Sequence, residues 1–131
     1  MSVPPESNYL AWLGKASHDV LNITNNLLAS QIPWDTVCFH AQQAVEKSLK
    51  AFLVFHGLPL LRSHDLVAIL AACASADPTL AVVEPECREL TYFAVGARYP
   101  EDLFEPTEED GRRMILACER VREHVIKRLP Q

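Results

Sequence analysis

Apolar side chains along this chain recur at three- and four-residue steps rather than in strict alternation, which is the period of a helix and not of a strand. Between about Glu6 and Ser30, the residues Leu10, Leu13, Ser17, Val20, Thr24 and Leu27 share one face and predict a first amphipathic helix. Asn25 and Asn26 are weak helix formers near its end. Pro33 suits the first turn of a second helix, where its missing N–H costs nothing, and this helix is expected to run to about His56. Gly57 offers a left-handed C-cap, and Leu58-Pro59 prevents continuation. Ser63 is read as the N-cap of a short apolar third helix, Leu66 to Ala74, with Asp65 in its first turn. Asp77-Pro78 and Glu84-Pro85 mark two further starts, a short helix or turn and then a fourth helix from about Pro85 to Ala97. Tyr99-Pro100 demands a break after it. Thr107 caps the last helix, with Glu108, Glu109 and Asp110 in its first turn and Met114, Cys118, Val121, Val125 and Leu129 as its apolar stripe.

The expected fold is therefore all-α: an up-and-down bundle of four long helices plus a short one. It is read as a single domain over residues 1–131, with a core from about 7 to 129. The length of 131 residues suits one hydrophobic core, and four glycines are too few to serve most turns of an all-β fold. Apolar residues at 49% and charged residues at 22% are globular rather than disordered composition.

Charge and cysteine usage narrow the function classes. A net charge of −5 argues against a general nucleic-acid coat protein, which needs a basic surface to release counterions from phosphates. No apolar run approaches the roughly 18 residues of a spanning helix, so no membrane role is expected. Met1 to Glu6 lacks a basic region followed by an apolar stretch, so no secretory signal is read there. Cys38, Cys73, Cys87 and Cys118 form no C-x-x-C pair. They are read as buried free thiols of a reducing compartment, which points to the cytoplasm and to no metal site.

The second helix is the most informative segment. At about 100° per residue, Val37, Ala41, Ala44, Val45, Ser48, Leu49, Ala51, Phe52 and Phe55 cover more than half its circumference, which places it centrally. The remaining arc collects His40, Gln43, Glu46, Lys47 and Lys50. Two readings of this stripe stay open. One is a solvated face with Glu46 and Lys50 as an (i, i+4) pair contributing roughly 0.2–0.5 kcal/mol. The other is the polar edge of a groove that binds an anionic ligand. His64, placed in the first turn of the third helix, either caps it or joins the free N–H groups there in holding a phosphate. Arg98 leaves the end of the fourth helix and either grips a carboxylate or phosphate with two parallel hydrogen bonds or pairs with Glu46 or Asp65. Arg120, Arg122, His124, Lys127 and Arg128 are read by default as a solvated basic helix end. Glu108, Glu109 and Asp110 suit the helix dipole better than a metal.

The run Cys38-Phe39-His40-Ala41-Gln42-Gln43-Ala44-Val45-Glu46-Lys47-Ser48-Leu49-Lys50-Ala51 resembles the F-H-A-Q-Q-A-x-E-K-x-L-K-A signature of HEPN domains. Ser63-His64-Asp65-Leu66 is similar to the family's T-H-D-L, and Ala97-Arg98-Tyr99-Pro100 to its A-R-Y-P. The motifs stand in the family's order, and the resemblance spans roughly Tyr9 to Leu129. It implies a helical bundle that pairs as a homodimer and works beside a minimal nucleotidyltransferase, encoded separately or fused. Some branches of the family are ribonuclease toxins of toxin–antitoxin systems, and others are proposed to bind nucleotides without cutting RNA.

Ribonuclease members carry an arginine followed, after four to six intervening residues, by a histidine: an acid or base for the ribose hydroxyl and leaving oxygen, and a cation for the developing charge. After Arg98 this chain reads Tyr99-Pro100-Glu101-Asp102-Leu103-Phe104-Glu105, with no histidine, and only three residues separate Arg120 from His124. The expectation is thus a non-catalytic nucleotide-binding and interaction module, with no catalytic residue and no cofactor. An RNA-cleaving toxin is the alternative, and RNA is the less favoured ligand. The candidate ligand-binding residues are His40, Gln43, Lys47, Lys50, His64 and Arg98, with Lys47, Lys50, His64 and Arg98 expected to converge on one cleft.

Overall fold

Asn8 opens the first helix by accepting the Leu10 N–H on its side-chain oxygen at 3.0 Å, which satisfies one of the donors a helix start leaves bare. The structure, a computed structural model, describes residues 4–96 and 105–130. Among the described residues five α-helices follow one another: α1 (Tyr9–Leu27), α2 (Trp34–Phe55), α3 (Leu66–Ala74), α4 (Glu84–Gly96) and α5 (Glu108–Ile126). Short 3-10 turns lie at Pro5–Ser7 and Pro78–Val83. No strand occurs among the described residues. The bundle is all-α, with α1, α2, α4 and α5 as its longer members and α3 as the short one. None of the helices described is long and apolar enough to cross a membrane.

Each boundary has a local cause. α2 stops where Gly57 takes φ +67°, a left-handed turn that glycine adopts without penalty. There the Leu58 N–H reaches the Leu53 carbonyl at 2.9 Å and the Gly57 N–H reaches that of Val54 at 3.1 Å, so the last carbonyls of the helix are satisfied. α5 begins with a capping box: Thr107 Oγ1 accepts the Asp110 N–H, and the Asp110 carboxylate accepts the Thr107 N–H. Pro33 precedes α2 as its N-cap rather than sitting in its first turn.

The third helix corrects the sequence reading. Its N-cap is Asp65, whose side chain accepts the Val67 N–H at 3.0 Å, while Ser63 lies upstream and accepts the Asp65 N–H at 3.0 Å. A carboxylate accepts more strongly than a hydroxyl at a helix start. His64 consequently precedes the helix instead of occupying its first turn.

α2 is the hub and packs against α1, α3, α4 and α5. Val37, Cys38, Ala41, Ala44, Val45, Leu49, Phe52 and Leu53 are all fully buried along it. The α5 stripe is buried as expected, from Met114 through Leu129. α1 differs. The face expected to pack included Leu10, yet Leu10 is 59% exposed, while Ala16, Asp19 and Ile23 are buried. Small Ala16 lets α1 approach α2 closely, and the approach brings Asp19 to α2 side chains. A periodicity count that scores Asp19 as polar turns the helix away from its true contact face. Cys38, Cys73, Cys87 and Cys118 are free and buried. Burial pushes all four thiols up to about 12, so they remain protonated packing groups. Among the described residues no group of histidine, cysteine and acidic side chains has the makings of a metal site.

Trp34, at the start of α2, lies flat against the first turns of α5. A Cβ added to Gly111 would collide with the Trp34 ring, and the Arg112 guanidinium sits 5.2 Å from the ring centroid. Gly111→Ala should therefore destabilise the domain by about 1–3 kcal/mol through overpacking, despite the better helix propensity of alanine. Urea titration of the two proteins checks this, and an unchanged or higher midpoint would show that the indole moves aside freely.

Candidate functional site

The polar stripe of α2 divides into two ionic networks, each closed by a different neighbour. On the α1 side, buried Asp19 receives His40 Nδ1 at 2.7 Å and Lys47 Nζ at 2.6 Å. A carboxylate only accepts, so the imidazole hydrogen belongs on Nδ1. His40 and Lys47 stand two helical turns apart on α2, and a single carboxylate from α1 bridges them.

The second network centres on Glu46. Its carboxylate takes Lys50 Nζ at 3.0 Å, His64 Nδ1 at 3.0 Å and Gln42 Nε2 at 3.2 Å. Gln42 Nε2 also donates to the His64 carbonyl at 2.9 Å, and Gln43 Nε2 donates to Gln42 Oε1 at 2.7 Å. The segment before α3 is thus stitched to α2 through both the side chain and the backbone of His64. Burial by itself would raise the Glu46 carboxyl, but the hydrogen bonds from Lys50 and His64, the Lys50 charge and the Gln42 amide hold it below the ordinary carboxylate range. Glu46 and Lys50 are 4% and 8% exposed, which corrects the reading of this pair as a solvated face.

Above this network lies a cavity of about 500 Å³ lined by Glu6, Trp12, Lys50, Leu60, Arg62, Ser63 and His64. Lys50 Nζ stands 5.7 Å from the centroid of the Trp12 ring, and the Trp12 indole N–H donates to the Glu6 carbonyl at 3.0 Å. The His64 side chain is 71% exposed at the rim. Arg62 is also exposed and has no ion-pair or hydrogen-bond partner among the described residues. The cavity therefore combines cations from two segments with an aromatic wall.

Of the residues singled out in the sequence, Lys50 and His64 meet here on Glu46. His40 and Lys47 meet on Asp19, and Gln43 reaches the Glu46 network through Gln42. Arg98, with the rest of the Ala97-Arg98-Tyr99-Pro100 motif, lies outside the described residues. Two N–H groups at the start of α3 are taken: that of Leu66 donates to Thr91 Oγ1 at 3.1 Å and that of Val67 to Asp65 at 3.0 Å. The basic end of α5 is largely paired, with Arg120 on Glu86 at 3.0 Å, Lys127 on Glu123 at 3.0 Å and Arg128 on Asp77 at 2.6 Å. His124 Nδ1 contacts the Arg120 carbonyl at 2.9 Å rather than facing its guanidinium.

Sequence reasoning missed Asp19, Trp12 and Arg62 as parts of these sites. Asp19 had a signal: Trp12, Ala16, Asp19 and Ile23 fall at helical spacing, so the carboxylate stands in an otherwise apolar row. Arg62 had none, being a charged residue in a connecting segment.

The family model described as HEPN domain matches residues 9–129. No curated protein and no solved structure matches the chain.

Because the Glu46 carboxyl is depressed in the folded protein, its contribution to stability is complete above its ordinary value of 4.5 and is lost as pH falls through the lower folded value. Glu46→Gln, which strands a buried lysine, should cost on the order of 3 kcal/mol at pH 7. The gap between wild type and variant should narrow below pH 4.5. Denaturant titrations at pH 7 and in acid measure it, and a gap independent of pH would remove Glu46 from its central place.

Proposed function

Because the chain belongs to the HEPN domain family, we propose that it is a non-catalytic nucleotide-binding and interaction module that pairs with itself and works with a minimal nucleotidyltransferase. The observation that carries the ligand reading is the cavity beside Glu46, where Lys50, Arg62 and His64 stand around an aromatic wall. Lys50 spends one ammonium hydrogen on Glu46 and has two more to offer. Arg62, without a partner among the described residues, brings a fork of donors that matches phosphate geometry. His64, with Nδ1 engaged by Glu46, keeps Nε2 as its second hydrogen-bonding position. Together these groups suit the phosphates of a nucleotide. The absence of a histidine separated from Arg98 by four to six intervening residues supports binding rather than cleavage.

Calorimetric titration with adenosine and guanosine triphosphates tests the ligand. Arg62→Ala should weaken binding by about 1.5–3 kcal/mol, the range for losing a charge-assisted hydrogen bond, and should leave the melting temperature unchanged because Arg62 is exposed. Wild type and variant equally inert to both nucleotides would overturn the reading. For assembly, sedimentation of the chain alone at micromolar concentration should give twice 14.7 kDa, and mixing with a minimal nucleotidyltransferase encoded beside it should give a heavier species. A mass that stays near 14.7 kDa in both experiments would refute the pairing and the partnership.

A further inference from the structure

Next to the cationic cavity is a second one of about 290 Å³, lined by Glu6, Ala11, Trp12 and Lys15. Glu6 and Trp12 border both, so the two concavities adjoin across the indole. Their chemistry differs. To the shared Glu6 and Trp12 the larger adds Lys50, Leu60, Arg62, Ser63 and His64, whereas the smaller adds only Ala11 and Lys15, whose stem is apolar. The Trp12 side chain that separates them is anchored, because its N–H is tied to the Glu6 carbonyl at 3.0 Å.

We infer that the two cavities are the halves of one site, in which the base of a nucleotide lies in the smaller against Trp12, between Ala11 and Lys15, while its phosphates lie in the larger. This rests on the nucleotide reading above and adds to it the residues that recognise the base. A ligand filling both halves must be flat and apolar at one end and anionic at the other. Inorganic phosphate or an acidic peptide leaves the indole side empty, and an apolar molecule leaves the Arg62 guanidinium and the two spare N–H groups of Lys50 unused. Ligand sites usually have about 300–1,000 Å³, a range the joined cavities reach while the smaller falls just short of it. Stacking on an aromatic side chain is tolerant of base identity, because every base presents a π-face. Glu6 and Lys15 at the mouth supply an acceptor and a donor for the edge of the base.

Ala11 is the position that separates this inference from the phosphate reading. Leucine keeps the helix and fills the smaller cavity without touching Lys50, Arg62 or His64. Calorimetry compares adenosine and guanosine triphosphates with inorganic triphosphate on the wild type and on Ala11→Leu. The wild type should bind the nucleotides at least about tenfold tighter than inorganic triphosphate, the lower range for one stacked base. Ala11→Leu should abolish that advantage and leave the affinity for inorganic triphosphate unchanged. Trp12 borders both halves, so indole fluorescence of the wild type should change more strongly with the nucleotides than with inorganic triphosphate, a readout that does not depend on the variant. Equal affinities in the wild type, a preference that survives Ala11→Leu, or a fluorescence response of the same size for all ligands would overturn the inference while the phosphate reading stands. Failure of every one of these ligands to bind would bring down both.

Discussion

Burying a helix on almost every side leaves its polar side chains without water, and they must find partners within the protein. α2 is under this constraint. Asp19 reaches across from α1 to His40 and Lys47, and the segment before α3 bends so that His64 meets Glu46 by side chain and Gln42 by backbone. The positions of α1 and of the 58–65 connection follow from these contacts as much as from apolar packing. So does the cavity between them, since its walls are the two elements that α2 holds in place. The concavity here is a by-product of satisfying a buried stripe.

The helices were legible because their signals are local. Gly57, Asp77-Pro78 and Thr107 each act within a few residues, and the structure uses each of them where it was expected. The α5 stripe was legible for the same reason. Facing was harder. α1 could be recognised as a helix, but the row through Trp12, Ala16, Asp19 and Ile23 can be its buried side only because Asp19 finds partners more than twenty positions away. Ser63 and Asp65 compete for one cap, and the choice turns on the tertiary path that also brings Thr91 to the Leu66 N–H.

The candidate site was half legible. Lys50 and His64 carried signals because they stand in motifs, and up-and-down connectivity brings the end of α2 beside the start of α3. Trp12 and Arg62 carried none, since an aromatic on an amphipathic helix and an arginine in a connection are both ordinary. Their place in the cavity arises from folding alone. The α2 stripe left two readings open in the sequence, because a Glu–Lys pair at (i, i+4) spacing suits a solvated face equally well; the structure buries the pair under the connection.

Asp19 holds two side chains of α2, so the three positions cannot vary as independent letters. Replacing Asp19 strands both His40 and Lys47, while replacing either of those leaves the carboxylate with the other. A neutral route through sequence space therefore passes through His40 or Lys47 before Asp19, never the reverse. α1 carries no motif of its own, yet one of its residues is bound in this way to the most distinctive stretch of the chain. Divergence in the outer helix is constrained by the inner one, and recombining α1 from a distant relative would fail at this residue unless the relative supplied the same acid in the same register.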